Sequence, residues 1–141
     1  MDLELKLGYQ LPGSFKEFII RCNGFGIMSD HVYGIYTGSK WSKVEKAMDL
    51  YENYLWEKDE SGNPIWPHLL PISPDGFGNH YCLDLKTLTE DKTECKVVFW
   101  QHDYEFSEDD PPDVETNSFL EFVWNLLMEI KGMINYDGTD K

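Results

Sequence analysis

Apolar side chains recur at helical spacing in three parts of the chain and alternate at strand spacing in others. Phe15, Phe18, Ile19 and Cys22 fall at i, i+3, i+4 and i+7, the stripe of a helix that follows Leu11-Pro12 and stops at Asn23-Gly24. Trp41, Val44, Met48, Tyr51 and Leu55 form a second stripe, which predicts a helix over about 41–54. Phe119, Phe122, Val123, Leu126 and Ile130 make the third. The first and last helices open on nearly the same word, SFKEF at 14–18 and SFLEF at 118–122. In both, a serine is followed three residues later by glutamate, the pattern of a reciprocal capping box: Ser14 with Glu17, Ser118 with Glu121. Ser42 with Glu45 offers a third. The flanks of the two words differ, LPG and VETN, so the word marks a helix start and not a tandem repeat.

Between the helices the pattern changes to runs of β formers. YGIYT at 33–37, LLPI at 69–72, HYCLDL at 80–85 and KVVFW at 96–100 read as strands. Within HYCLDL, Tyr81, Leu83 and Leu85 alternate with His80, Cys82 and Asp84, which predicts an antiparallel hairpin with one face buried. LWEKDESGNPIWPH reads as a loop carrying Trp56 and Trp66. HDYEFSEDDPPDVETN cannot be helical across its two prolines. At the N-terminus LELKL suits a strand as well as a helix, and Trp124 and Met128 lie opposite the main stripe of the last helix, either beneath a neighbour or as an exposed patch. Helix, strands, helix, strands and helix in this order give an α+β class, not a βαβ alternation.

Composition narrows the function. A chain of 141 residues is most simply one domain, 1–141, able to bury roughly 70% of the surface its unfolded form exposes. Its aromatic content of 15% argues for a packed core despite a net charge of −14, from 26 acidic against 12 basic residues. Such a surface repels nucleic acid and anionic membrane and attracts basic partners. Three cysteines, an odd number without a C-x-x-C pair, and an N-terminus with no apolar signal run suggest free thiols in a reducing cytoplasm. No apolar run approaches the ~18 residues of a membrane span.

Chemistry is sparse. NGFG and DGFGN lack the spacing and the lysine of a phosphate loop. His80 and Cys82 share a strand face and with Cys95 sketch a zinc or Cys/His set, but no fourth ligand is evident and a core role outweighs it. Asp75, Asn79 and Asp84 miss the register of a calcium loop, and the turn itself accounts for Asp, Gly and Asn there. The expectation is a protein that is not an enzyme, with no cofactor and no metal.

The words LGYQLPGSFKEFIIRCNGFGI, HLLPISPDGFGNHYCLDL, VVFWQHD and NSFLEF, in this order, resemble the SUKH superfamily, the Smi/Knr-like domains, from about Leu7 to Ile130. The marks are Leu11-Pro12 with Asn23-Gly24; Leu70 and Ile72 with Gly78, Asn79 and Asp84; and Trp100, His102 and Asp103 leading to the second SF. The resemblance implies a central, mostly antiparallel sheet with helices packed against it. It also implies a non-catalytic binder: a cytoplasmic immunity protein that neutralises a polymorphic toxin, often a nuclease, or an adaptor of the cell-wall-regulator type that binds a housekeeping protein. The resemblance also implies a full helix before Leu-Pro, as family domains usually carry, where this chain has only about ten residues. The partner expected here is a basic toxin domain, not nucleic acid or membrane. Seven acids and no Lys or Arg between Asp103 and Glu115 make that segment the leading candidate: Asp103, Glu105, Glu108, Asp109, Asp110 and Asp113 for steering. Glu45, Asp49 and Glu52 add a second acidic stripe, and Trp56, Trp66 and Phe106 are candidate anchors.

Overall fold

The protein is described, from a computed structural model, over residues 2–27, 30–36 and 47–133. It begins with helices α1 (Asp2–Leu7) and α2 (Gly13–Arg21), then strands β1 (Phe25–Ile27) and β2 (Asp30–Val32). Helix α3 (Leu50–Leu55) runs into a π-helical turn (Trp56–Glu60). Strands β3 (Leu69–Pro74), β4 (His80–Asp84), β5 (Lys96–Trp100) and β6 (Asp113–Thr116) follow, and α4 (Phe119–Met133) closes the order. β3, β4, β5 and β6 form an antiparallel sheet in that order, and β1 pairs with β2. The class is α+β, with helices packed on the central sheet.

The two SF words meet in space. Phe15 and Phe119 make an edge-to-face contact with centroids 5.0 Å apart, and the turn before β5 caps both helices. The carbonyls of Lys92 and Thr93 accept the N–H groups of Gly13 and Ser14 at 2.8 and 3.0 Å, while the Glu94 carboxylate accepts those of Phe119 and Leu120 at 2.9 and 3.3 Å. At the second word half of the expected box forms: Ser118 Oγ accepts the Glu121 N–H at 3.0 Å, while Glu121 reaches one residue beyond the N-cap, to the Asn117 N–H at 3.4 Å. At the first word it does not. Pro12 is the N-cap, Ser14 is already inside the helix, and Glu17 pairs with Arg21 at 2.6 Å instead. The reason is that the neighbouring turn supplies backbone acceptors where the serine would otherwise be needed. The stop at Asn23-Gly24 is as expected, with φ of 45° and 85°. Asn23 also clamps the chain after β2: its side chain donates to the Ile35 carbonyl at 2.9 Å and accepts the Ile35 N–H at 2.8 Å.

Other elements differ from the sequence expectation. LELKL is helical, burying Leu3 and Leu7 one turn apart. The strand expected at 33–37 is displaced: β2 ends at Val32, and the Tyr33 N–H bonds the Ile72 carbonyl at 2.8 Å. The middle helix was expected to pass through Asp49, yet Asp49 is the N-cap of α3, accepting the Glu52 N–H at 2.9 Å. A short carboxylate competes for backbone N–H groups and so favours the cap over the helix interior. Trp41, Ser42, Val44 and Glu45 lie outside the described residues. The acidic segment contributes an unexpected strand, β6, at one end of the sheet order; its exposed Asp113 and Glu115 place charge along that edge, a usual guard against edge pairing.

The sheet is buried on both faces, where one was expected. Leu70, Ile72, Leu83 and Val97 join Phe15, Phe119, Phe122 and Leu126 of the helices in the larger core. Their strand neighbours Leu69, Cys82, Val98 and Trp100 enter a second core with Ile65, against which Trp66 and Phe106 pack. Those last three residues come from the connections before β3 and after β5, so connecting segments contribute apolar cover to this side. Cys82 and Cys95 belong to different cores, so the sketched Cys/His set does not assemble. Among the described residues no group of three or more His, Cys, Asp or Glu is placed to hold a metal ion.

Two measurements test this architecture. Replacing Glu94 by Ala removes the carboxylate that accepts the Phe119 and Leu120 N–H groups of α4 and is expected to lower unfolding free energy by about 1–2 kcal/mol in urea titration. The exposed Glu90→Ala serves as the comparison and should stay within about 0.5 kcal/mol of the parent. Burial pushes the Cys95 thiol up to about 12 and Cys82 well above the ordinary thiol range, while Cys22 is exposed. A disulfide reagent at neutral pH should therefore modify Cys22 quickly and reach Cys82 and Cys95 only on unfolding. Rapid modification of all three thiols in the folded protein would contradict the two cores.

Candidate partner-binding surface

β5 delivers Trp100 into the second core, 1% exposed, and the segments on either side of it are organised around that ring. Trp66 packs on it edge-on at 5.9 Å and Phe106 at 4.8 Å. His68 extends the row beyond Trp66 at 5.6 Å, and Tyr104 extends it beyond Phe106 at 4.7 Å. Asn63 ties the two segments together by donating to the Tyr104 carbonyl at 2.7 Å and the His102 carbonyl at 3.3 Å. His102 is in turn held by Asn79, whose Oδ1 lies 3.0 Å from its backbone nitrogen and 2.8 Å from Nδ1. These bonds fix irregular chain with side-chain partners where strand pairing stops.

Between the aromatic ends opens a cleft of about 530 Å³. One wall is Trp66, Pro67 and His68; the other is Phe106, Ser107 and Glu108 with Pro111, and Lys86 reaches in from the turn after β4. The volume falls within the ~300–1,000 Å³ of ligand-binding clefts. His68 sits partly buried, and desolvation lowers its pKa against the opposing pull of Asp84, so its imidazole is neutral at pH 7. The acidic segment beside the cleft is a built turn. The Ser107 and Asp110 backbones bond each other at 3.1 Å in both directions, leaving Glu108 and Asp109 at the tip. Tyr104 donates its hydroxyl to Asp110.

Of the residues the sequence singled out, the fold brings Trp66, Phe106 and Glu108 to one cleft, with Glu105, Asp109 and Asp110 exposed on the same segment. Asp103 and Asp113 are exposed at its two ends. Glu52 and Trp56 are exposed on α3 and the π-helical turn and do not line the cleft. Asp49 is a correction: it is 3% exposed, and its carboxylate accepts the Tyr36 and Glu52 N–H groups at 2.9 Å each, so it offers no charge to a partner. Glu45 lies outside the described residues. Pro67, His68, Lys86, Ser107 and Pro111 were not singled out, although the words WPH and DPP do set proline near the aromatic side chains of the cleft.

A second polar group, also missed, lies inside the fold. The π-helical turn carries Glu57 inward, where it is 4% exposed and its Oε1 lies 3.3 Å from His80 Nδ1. His80 Nε2 is 2.9 Å from the Tyr33 hydroxyl. Burial, and then the Glu57 charge, push the Tyr33 hydroxyl far above its ordinary range. Glutamate, histidine and tyrosine in series resemble an acid–base relay, but all three are more than nine-tenths buried. Their position suits a polar strut that fixes the turn before the Trp66 segment, not a group that meets a substrate.

Among the described residues no helix is long and apolar enough to cross a membrane. The chain is 25% identical over 147 residues to the SPbeta prophage-derived uncharacterized protein YokK of Bacillus subtilis (strain 168), a match covering 91% of this chain and 72% of that one. The model of the SMI1 / KNR4 family (SUKH-1) matches residues 2–124, which spans both SF words, the two-faced sheet and the whole cleft-bearing region. With the α+β architecture and that match, the chain belongs to the SMI1 / KNR4 (SUKH-1) family.

Proposed function

We propose that this chain is a cytoplasmic immunity protein that binds a basic toxin domain and neutralises it by protein–protein contact, without catalysis. The observation that carries the reading is the juxtaposition of an aromatic cleft with a fixed, acidic turn. Aromatic side chains in a part-desolvated pocket supply most of the energy of typical interfaces, and the charges around them govern approach and register. A toxin that acts on nucleic acid must present a cationic surface to phosphate. A chain of net charge −14 attracts that surface over long range and competes for it. The family supports a binding role, and the prophage origin named for the similar Bacillus subtilis protein is compatible with a gene carried on a mobile element.

Glu105, Glu108 and Asp109 would act before contact, by steering. Phe106 and Trp66 would act after it, by excluding water. Asp110 has a different part: its carboxylate holds Tyr104 and with it the shape of the turn.

The partner is sought by affinity capture with the tagged chain as bait in lysate of its own organism, and the bound protein is identified by mass spectrometry. A one-to-one complex with a basic toxin domain is the expected result. A housekeeping protein as the sole stoichiometric partner would replace this reading with the adaptor one. With the partner in hand, Glu105→Lys, Glu108→Lys and Asp109→Lys together should slow association by at least about tenfold at low salt, with the deficit shrinking as salt rises. Asp110 is left intact so that the turn keeps its shape. An association rate equal to that of the parent would remove this segment from the interface.

A further inference from the structure

We infer that the cleft between Trp66 and Phe106 takes an extended, proline-containing segment of the partner with a basic residue at its end. The inference rests on the reading of this face as a protein-binding site and specifies what it recognises. Three features of the cleft select this occupant.

The first is that its walls offer side chains more than backbone. The Ser107 and Asp110 backbones are paired with each other, the Trp66 carbonyl accepts the Leu69 N–H, and the His68 carbonyl accepts the Leu85 N–H. A partner strand added by main-chain pairing would find those groups engaged. A polyproline II segment needs no ladder, because its backbone makes no internal hydrogen bonds and its groups stay solvated. It presents every third side chain on one side, so two prolines three apart face the same wall.

The second feature is rigidity. Trp66 and Phe106 are both held by the buried ring of Trp100, and Phe106 also by Tyr104. Flat apolar rings fixed before binding are suited to pyrrolidine rings, and neither side gives up much conformational freedom on contact.

The third feature is charge. Lys86 and Glu108 both line the cleft, so an apolar helix seated there would strip water from two charged groups and leave them unpaired. An extended chain has carbonyl oxygens that can accept from the Lys86 ammonium. An arginine or lysine at its end pairs with Glu108, with Glu105 and Asp109 exposed on the same segment. A neutral sugar would also stack on aromatic rings, but it would give the acidic turn nothing to bind.

The test uses the whole isotope-labelled chain and capped synthetic peptides of about ten residues, a few turns of polyproline helix. The parent peptide carries two prolines three apart and an arginine at one end. One control has alanine for both prolines, another has glutamate for the arginine, and a neutral oligosaccharide is the third ligand. Saturable shifts centred on Trp66, His68 and Phe106 are expected with the parent peptide, and at least about tenfold weaker binding with either control peptide. Glu108→Gln should abolish the preference for arginine over glutamate and keep that for proline over alanine; being an exposed change, it separates recognition from folding. Phe106→Ala should weaken the parent peptide by about tenfold or more. Equal binding of the alanine control, shifts centred elsewhere, saturation by the oligosaccharide instead, or no binding each overturn the inference. Its failure and that of the immunity reading are distinguishable. A toxin that binds Phe106→Ala and Glu108→Gln chains as tightly as the parent leaves immunity standing without the cleft. Peptide binding in the cleft beside a captured housekeeping protein leaves the cleft standing without immunity.

Discussion

Three consecutive residues, Lys92, Thr93 and Glu94, hold the N-termini of two helices that are about a hundred residues apart in the chain. A helix start leaves four N–H groups without intrahelical partners, and a buried start must find acceptors for them. By accepting from Gly13, Ser14, Phe119 and Leu120, this one turn sets α2 beside α4 and brings Phe15 against Phe119. The helical layer therefore sits at a fixed height on the sheet, because the same turn leads directly into β5.

What the helices do for one face of the sheet, connecting segments do for the other. Trp100 is too large and too buried to be left to water, and Ile65, Trp66 and Phe106 close over it. Irregular chain can serve as cover only if its polar groups are satisfied. Asn63, Asn79 and the Ser107–Asp110 pair do this on the outside, while inside Tyr33 hydrogen-bonds His80 and Glu57 lies 3.3 Å from the same imidazole. The cleft follows from that construction: two segments meeting over one indole leave a gap lined by the exposed edges of the rings that cover it.

A cleft built on segments that also cover a core joins two demands. Its aromatic rings are fixed, which favours selectivity, and its acidic residues lie on a turn tip where solvent keeps them charged and changes of sequence cost the fold little. Substitutions at Glu108 or Asp109 therefore cost the fold little, whereas substitutions at Trp100 or Asn63 remove contacts that shape the cleft.

Much of the architecture was legible in residue order. Helical stripes, the Asn-Gly stop, the hairpin through DGFGN and the α+β class follow from periodicity and turn chemistry, which act over a few residues. The acid run was visible for the same reason. Pairings between distant segments were not. Ser14 and Ser118 stand in the same word, yet only Ser118 caps, because carbonyls about eighty residues away reach the first helix. Asp49 looked like one of a row of surface acids until Tyr36 N–H claimed it. Lys86, His68 and Pro111 become neighbours only when the second face of the sheet is covered. The sequence by itself determined the elements and the sign of the surface, since backbone propensity and net charge are local or additive. Tertiary structure alone decided which polar groups are spent inside the fold and which remain at the surface, since that depends on where the nearest unsatisfied donor or acceptor lies in space.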